Sequence, residues 1–477
     1  MNSGNKNDAP KSAFKATIWY LICDFVTRGI SFITMPIFTR MMTTGEIGSY
    51  SIMTSWISIL SVVITLNLIQ SVFLAKYDYK DDYQGFISTV ATLGLMSAAI
   101  CYVVIFPFRE QIAGFLGMEV YAVDIMAIHL MFCQMSGVLL AKYRANLEYK
   151  KSVALTLGTT IIVTISAILC TLNFRDALKG RIYGTYVPTI IINILLFIFL
   201  LYHRKSFKKA YCKYALTICL PLIIHNLAGN IIHSSDRVMI GKLCSDEDAG
   251  LYGVAYTCAM FANMLRNSMN IAWNPWVFDK INENKVKEIK KASYIYLLAF
   301  FVLCIGIIVL APEVLYILGG KPYQMAVYVV PPVVASYMFS MVYSLYAGIE
   351  QYYKKQKYFA FVATICAILN IVLNYIFIPI YGYIAAAYTT LASTALECLL
   401  HYLNVRKMGM TKIYNTKYNL GILFIMLCVS IISVALYRNA VIRYSLIGFG
   451  VLGVMVVCMI KRAKIKELVE STIRRRT

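Results

Sequence analysis

The chain has little acid and little charge of any kind. Only 23 of its 477 residues are Asp or Glu, against 45 Lys or Arg, and charged residues make up 14% of the total. A soluble domain carries roughly a quarter, so a soluble globular class is excluded. Long polar stretches are also missing. Apolar runs of about 20 residues recur from Phe14 to Ile460, and no break between them exceeds about 20 residues. That leaves no room for an extramembrane catalytic domain, and an enzyme is not expected. The 13 cysteines stand singly, without CxxC or Cys/His spacing, and read as small buried hydrophobes, not disulfides or metal ligands. What remains is an all-α polytopic membrane protein, 60% hydrophobic.

Fourteen transmembrane spans are expected at roughly 14–39, 47–74, 84–107, 120–143, 151–173, 182–203, 214–240, 249–277, 291–311, 325–349, 358–379, 382–403, 417–437 and 441–461. The net charge of +22 is not spread evenly. About 33 of the 45 basic residues fall in alternate breaks, as the positive-inside rule requires. The charge therefore reports topology and contact with anionic membrane lipids, and nucleic acid is not an expected partner. An even number of spans puts both termini on one side, and the basic tails make that side the cytoplasm. The first span holds Asp24 and Arg28 where a cleavable signal would have an uninterrupted apolar core.

An internal repeat runs at an offset near 202. Thr43-Thr44-Gly45-Glu46-Ile47-Gly48-Ser49-Tyr50 lies over Ser245-Asp246-Glu247-Asp248-Ala249-Gly250-Leu251-Tyr252. Each begins with a hydroxyl residue and places an acid three residues on, the capping-box signature of a helix start. The register continues: Leu116-Gly117 falls on Leu318-Gly319, Gly180 on Gly382, and Arg204-Lys205 on Arg406-Lys407. Two pseudo-symmetric six-helix lobes, 1–205 and 206–407, are expected, followed by two additional helices and a basic cytoplasmic tail over 408–477. Parallel repeats of this kind are a transporter plan with the site between the halves.

Three spans carry polar stripes. Asp24 and Arg28 share a face of the first span with Thr17, Tyr20, Thr27 and Ser31, and being four apart they can pair. In the seventh span Asn226, Asn230, His233 and Arg237 share one face. In the eighth, Tyr252, Tyr256, Asn263, Arg266, Asn267, Asn270 and Asn274 fall within an arc of about 100°. A charge at mid-bilayer costs roughly 2.5–3.5 kcal/mol, so these faces meet protein, water or a ligand. Interhelical hydrogen bonds, averaging about 0.6 kcal/mol each in membranes, account for two or three amides but poorly for a full stripe with a central Arg. Candidate cavity-lining residues are therefore Asp24, Arg28, Asn226, Asn230, His233, Asn263, Arg266, Asn267 and Asn270. His129 and His401 read as helix-contact histidines, with Glu397 four residues before the latter. Asn370 and Asn374 suit packing as well as lining. Asp78, Asp81 and Asp82 read as a solvated loop, and Trp273 and Trp276 as interfacial anchors.

The segments MPIFTRMMTTGEIGSYSIMTSW, SSDRVMIGKLCSDEDAGLYGVAY and LNIVLNYIFIPIYGYIAAAYTTLAS resemble the polysaccharide (O-antigen type) flippases. That family belongs to the multidrug/oligosaccharidyl-lipid/polysaccharide exporter superfamily, with the multidrug and toxin extrusion transporters and the lipid II flippases. The resemblance implies lobes forming a V around a cavity that opens alternately to each side of a bacterial cytoplasmic membrane. It implies a lipid-linked oligosaccharide as substrate, with cavity arginines on its diphosphate, and other polysaccharide-assembly proteins as candidate partners. No cofactor is expected; proton or sodium coupling through Asp24, Glu397 or the histidines stays open. A cation-coupled multidrug antiporter, with Asp24 as the coupling carboxylate, is the alternative. A membrane polysaccharide polymerase is a more distant one, since it would need a large loop.

Overall fold

The computed structural model describes residues 8–445. Among them it is all helix and connecting turn, with no strand. The first half contains α1 (Asp8–Met41), α2 (Thr44–Ile64), α3 (Ile69–Asp78), α4 (Tyr83–Ile105), α5 (Arg109–Leu116), α6 (Val120–Phe132), α7 (Gln134–Ala145), α8 (Tyr149–Asn173) and α9 (Ala177–His203). The second contains α10 (Lys209–Leu243), α11 (Asp246–Asn282), α12 (Val286–Val309), α13 (Ala311–Gly319), α14 (Val330–Tyr352), α15 (Gln356–Tyr381), α16 (Ile384–Lys407) and α17 (Thr416–Leu436). Thirteen of the expected spans coincide with these helices. The fourteenth, 441–461, lies outside the described residues beyond its first turn.

Among the described residues, eleven helical segments are long and apolar enough to cross a membrane. The two spans that fall short of that apolarity are α11 and α16. Both carry polar side chains along their length, and those side chains find partners inside the protein. Two expected spans are broken. The span at 47–74 divides into α2 and α3 where Leu66 and Asn67 take positive φ of 52° and 51°, and the span at 120–143 divides at Cys133. All twelve cysteines among the described residues are free.

The repeat determines where the halves meet. At the start of α2 the capping box is complete: Glu46 N donates to Thr43 Oγ1 (3.2 Å) and Thr43 N donates to Glu46 Oε2 (2.7 Å). At the start of α11 only half of it forms, with Asp248 N donating to Ser245 Oγ (3.1 Å). Asp is a methylene shorter than Glu, and its carboxylate does not return to the cap. These helix starts pack against one another. A Cβ on Gly48 would lie 2.6 Å from the Asp246 carbonyl carbon and 2.9 Å from Gly250 N. A Cβ on Gly250 would lie 3.0 Å from Gly48 N. Repeat-related glycines thus face each other because only a residue without a side chain admits this approach. Ser49 donates to Asp246 across the same seam, and Thr39 donates to the Leu318 carbonyl beside it (2.5 Å). Arg181 of α9 closes the flank, buried between the Phe38 and Tyr50 rings at 4.1 and 3.8 Å.

At the opposite end the halves are tied through α10. Its first turns, Tyr211, Ala215 and Cys219, share a core with Leu68, Val72 and Phe86 of the first half. Past Pro221 its remaining length packs on α15, through Ala228 and Ile232 against Val362, Ala363 and Cys366. Asp82 holds this connection: Lys208 Nζ donates to it (2.6 Å), Tyr211 OH donates to it (2.9 Å), and Arg204 pairs with it at 3.3 Å. The hydrogen bond from Lys208, ahead of that from Tyr211, holds the Asp82 carboxyl below its ordinary range. Asp82 is therefore a clamp on the connection between the halves and not a solvated carboxylate, whereas Asp78 and Asp81 stay exposed. Trp273 likewise is no interfacial anchor. It is buried and stacks on Tyr296 at 4.1 Å, because its position on α11 turns it toward α12 and away from the lipid boundary.

Candidate functional site

Between the halves, α1 and α11 diverge from the seam and leave a cleft of about 510 Å3. It is lined by Phe25, Phe32 and Ile33 on α1 and by Met260, Phe261 and Met264 on α11, with Arg28, Ser31 and Thr257 as polar groups. An apolar gap with one guanidinium at its wall suits an amphiphile. Further along α11, Asn267, Asn270 and Asn274 line a second, more open cleft of about 490 Å3 with Phe278 and Gln351.

Asp24 and Arg28 do not form the pair that their spacing allows. The partner of Asp24 is Arg144 of α7, at 3.9 Å, and both side chains are substantially exposed. Arg28 is left on the cleft wall without a carboxylate. On α10, His233 is exposed and its Nδ1 lies 3.4 Å from the Tyr256 hydroxyl. Asn226 is half-buried about two turns earlier. Asn230 is committed to a contact between halves, its Nδ2 donating to the Ser58 carbonyl of α2 (2.7 Å).

On α11 the amides divide by role. Arg266 donates from Nε and Nη2 to Asn263 Oδ1 (3.1 and 2.8 Å), and from Nη2 to Asn267 Oδ1 (3.0 Å). The two amides therefore hold the guanidinium in one orientation. Asn270 Oδ1 accepts from Tyr296 OH (2.8 Å) and Ser344 OH (3.1 Å), which ties α11 to α12 and α14.

Arg237 was not among the candidate lining residues, and it packs beside one of them, His233, on the same tyrosine. Its guanidinium lies 4.7 Å from the Tyr256 ring centroid and its Nε has no partner. Arg237 and Arg266 are the charged neighbours of His233. The signal was present, since Arg237 shares the α10 face with Asn230 and His233. Among the described residues Arg28, Arg237 and Arg266 have no carboxylate within ion-pair distance.

Two buried carboxylates escaped the sequence reading. Asp236 is 1% exposed and accepts from Tyr252 OH (2.6 Å), Asn374 Nδ2 (2.7 Å) and Thr390 OH (2.8 Å). Asn370 and Asn374 thus belong to a packing network of α10, α15 and α16. Glu350 is fully buried on α14, with His401 Nδ1 at 2.7 Å and Asn404 Nδ2 donating at 2.8 Å. No local pattern marks Glu350, because its partners stand about fifty residues away on α16.

A family model described as polysaccharide biosynthesis protein matches residues 13–281, and one described as MatE matches 221–376. The chain belongs to the polysaccharide biosynthesis protein family. It therefore stands in the multidrug/oligosaccharidyl-lipid/polysaccharide exporter superfamily. Among family relatives, a probable low-salt glycan biosynthesis flippase, Agl15, of Haloferax volcanii is 20% identical over 403 residues, covering 81% of this chain and 82% of that protein. Lsg locus putative protein 1 of Haemophilus influenzae is 20% identical, covering 65% and 77%. The fold matches that of the lipid II flippase MurJ in an inward closed conformation, with a TM-score of 0.70 at 17% identity over 94% of this chain and all of that one. It also matches an inward-facing multidrug resistance MATE family transporter, with a TM-score of 0.61 at 12% identity over 81% and 95%.

Proposed function

We propose that the protein is a flippase that moves a polyprenyl-diphosphate-linked oligosaccharide across the cytoplasmic membrane by alternating access. The observation that carries this is Arg28, a guanidinium without a carboxylate on the wall of an otherwise apolar cleft, with Arg237 and Arg266 on α10 and α11 likewise without carboxylates. An unpaired charge within the bilayer costs roughly 2.5–3.5 kcal/mol, and three of them are retained where an anionic ligand would supply the missing partner. Guanidinium offers a planar fork to diphosphate oxygens. The hydroxyl and amide groups of Ser31, Thr257, Asn270 and Asn274 offer donors and acceptors to sugars. The polyprenyl chain stays in lipid, entering between Phe25, Phe32 and Phe261.

The likeness to proteins described as glycan and lipid II flippases supports the same reading. A site for organic cations is disfavoured by the same three positive charges, and Asp24 is spent on Arg144. In this reading the basic breaks face the cytoplasm. The Gly48–Gly250 seam is then the closed extracytoplasmic gate, and both termini are cytoplasmic. Membrane lipids and the glycolipid are the partners. The test is glycolipid turnover in proteoliposomes by an Arg28→Ala, Arg266→Ala double variant, expected to be lost with insertion unchanged. Turnover at the wild-type rate would overturn the proposal.

A further inference from the structure

The repeat puts Lys242 where the first half has Arg40, Gly241 where it has Thr39, and α5 where the second half has α13. The end of α10 should therefore meet α5 as the end of α1 meets α13. The contact of α1 with α13 is closed. Thr39 donates to the Leu318 carbonyl (2.5 Å), and Ala311, Leu315 and Leu318 are fully buried. The contact of α10 with α5 stands open. Gly241 has no hydroxyl to offer the Leu116 carbonyl, and an added Cβ there would already meet Ile52 Cδ1 at 2.3 Å. Between α5 and α10 a pocket of about 390 Å3 remains, with Ile52, Phe115 and Gly117 on one wall and Val238, Lys242 and Asp246 on the other. Each wall belongs to a different half.

The pocket offers one cation and one acceptor. Among the described residues Lys242 has no carboxylate within ion-pair distance. Its side chain is exposed, and its ammonium rests 3.8 Å from the Phe115 ring centroid and 5.9 Å from that of Trp56. Asp246 takes the Ser49 hydroxyl on Oδ2, and its Oδ1 is turned toward Gly241, 3.5 Å from where a Cβ would stand. Phe115 and Leu116 also wall a second cavity of about 180 Å3, which is apolar and lined by Trp56, Leu60, Tyr102 and Ile112. Phe106 and Phe108 before α5, and Phe115 on it, are exposed, as aromatic side chains are at the level of lipid headgroups. A polar pocket thus adjoins an apolar one at a membrane surface, which is the shape of a lipid. A single ammonium is a point charge that balances one negative charge. With Asp246 beside it, a diphosphate would be left with charge uncompensated.

We propose that the α5–α10 pocket binds an anionic phospholipid with a single phosphodiester and a hydroxylated headgroup, phosphatidylglycerol being the simplest. Its phosphate sits on Lys242, a headgroup hydroxyl donates to Asp246, and one acyl chain starts in the apolar cavity behind Phe115. Because the lipid touches both halves, it binds the closed arrangement and favours it. Only its assignment to the extracytoplasmic leaflet rests on the topology of the proposed function; the site itself does not.

The experiment places the full chain in vesicles without glycolipid, where chain-brominated phosphatidylglycerol or phosphatidylcholine quenches nearby tryptophan. Emission from Trp56 is isolated by difference against Trp56→Phe. Both leaflets carry the brominated lipid, so the result does not depend on the direction of insertion or on glycolipid transport. Wild type is expected to prefer phosphatidylglycerol by about fivefold, the worth of one lysine at an anionic lipid. Lys242→Gln should abolish the preference and Lys242→Arg should keep it. Arg40→Gln, the repeat equivalent, should also keep it. Equal quenching by the two lipids in wild type would overturn the site, and that comparison needs no variant to fold. A preference that survives in Lys242→Gln would overturn it as well. Quenching relieved in full by millimolar inorganic phosphate would show a headgroup site without a lipid and overturn the lipid assignment. Brominated phosphatidic acid, which lacks the headgroup hydroxyls, should bind more weakly than phosphatidylglycerol, and equal binding would remove the role given to Asp246. With spin labels on Glu119 and Lys321, exposed residues of the two halves, replacing phosphatidylcholine by phosphatidylglycerol should enlarge the short-distance population. An unchanged distribution would overturn the bridging of the halves.

Discussion

The contact between α2 and α11 makes a quantitative demand on the conformational equilibrium. In the present state Gly250 Cα lies so near the start of α2 that an added Cβ would be 3.0 Å from Gly48 N and 3.1 Å from the Thr44 carbonyl carbon, with the carbonyl oxygen nearer still. All of these are backbone atoms, so no side chain can swing away. Gly250→Ala must push the two helix starts apart, and overpacking of this kind costs about 1–3 kcal/mol. The cost exists only while the seam is closed. In an alternating-access cycle it vanishes when the halves part at this end, so the variant shifts the open-to-closed ratio by a factor of about 5–150. Spin labels on exposed Glu119 and Lys321, one in each half at the seam end, allow the distance distribution to be read by pulsed electron resonance. A longer-distance population is expected to grow in Gly250→Ala and Gly48→Ala. Gly306→Ala, where an added Cβ meets nothing within 4 Å, is the control and should not move it. An unchanged distribution in both seam variants would refute the assignment of the Gly48–Gly250 crossing as a gate.

Asp236→Asn turns one acceptor into a donor facing Tyr252, Asn374 and Thr390. At about 1.5–3 kcal/mol per hydrogen bond to a charged group, a clear fall in the thermal midpoint is expected in a detergent melt, and an unchanged midpoint would count against a structural role. The Asp82 clamp has a definite pH window. Its folded value lies below the unfolded value of about 3.9, so its contribution is complete above that pH and is lost as pH falls through the folded value. Protease susceptibility of the 204–211 connection should therefore rise in acid for wild type, whereas Asp82→Asn should be susceptible already at pH 7. Asn263→Leu with Asn267→Leu frees Arg266 to reorient. Farnesyl diphosphate affinity is expected to drop about tenfold, the equivalent of losing one net hydrogen bond. A matching loss of folded protein would show instead that the amides act on packing.

The helical spans, their order, the repeat and its capping signatures were all legible in the chain, because apolar runs, helical periodicity and caps are local properties. The repeat even marked Gly48 and Gly250 as equivalent, and the polar stripes on α1 and α11 include Arg28, Ser31, Asn267 and Asn270, which line the two clefts. What a stripe touches is not local. Asp24 was free by spacing to pair with Arg28, but the packing of α7 beside α1 gave it Arg144. Asn263 and Asn267 read as sugar ligands until the fold placed the Arg266 guanidinium between them. Arg237, Asp236 and Glu350 each look alike in sequence, as a charge near the end of an apolar run. Only tertiary packing separates them: Asp236 is enclosed by three donors, Glu350 meets a histidine fifty-one residues away, and Arg237 is left with an aromatic face. The physical reason is that helical periodicity determines which residues share a face, whereas the crossing of helices distant in the chain determines what that face meets.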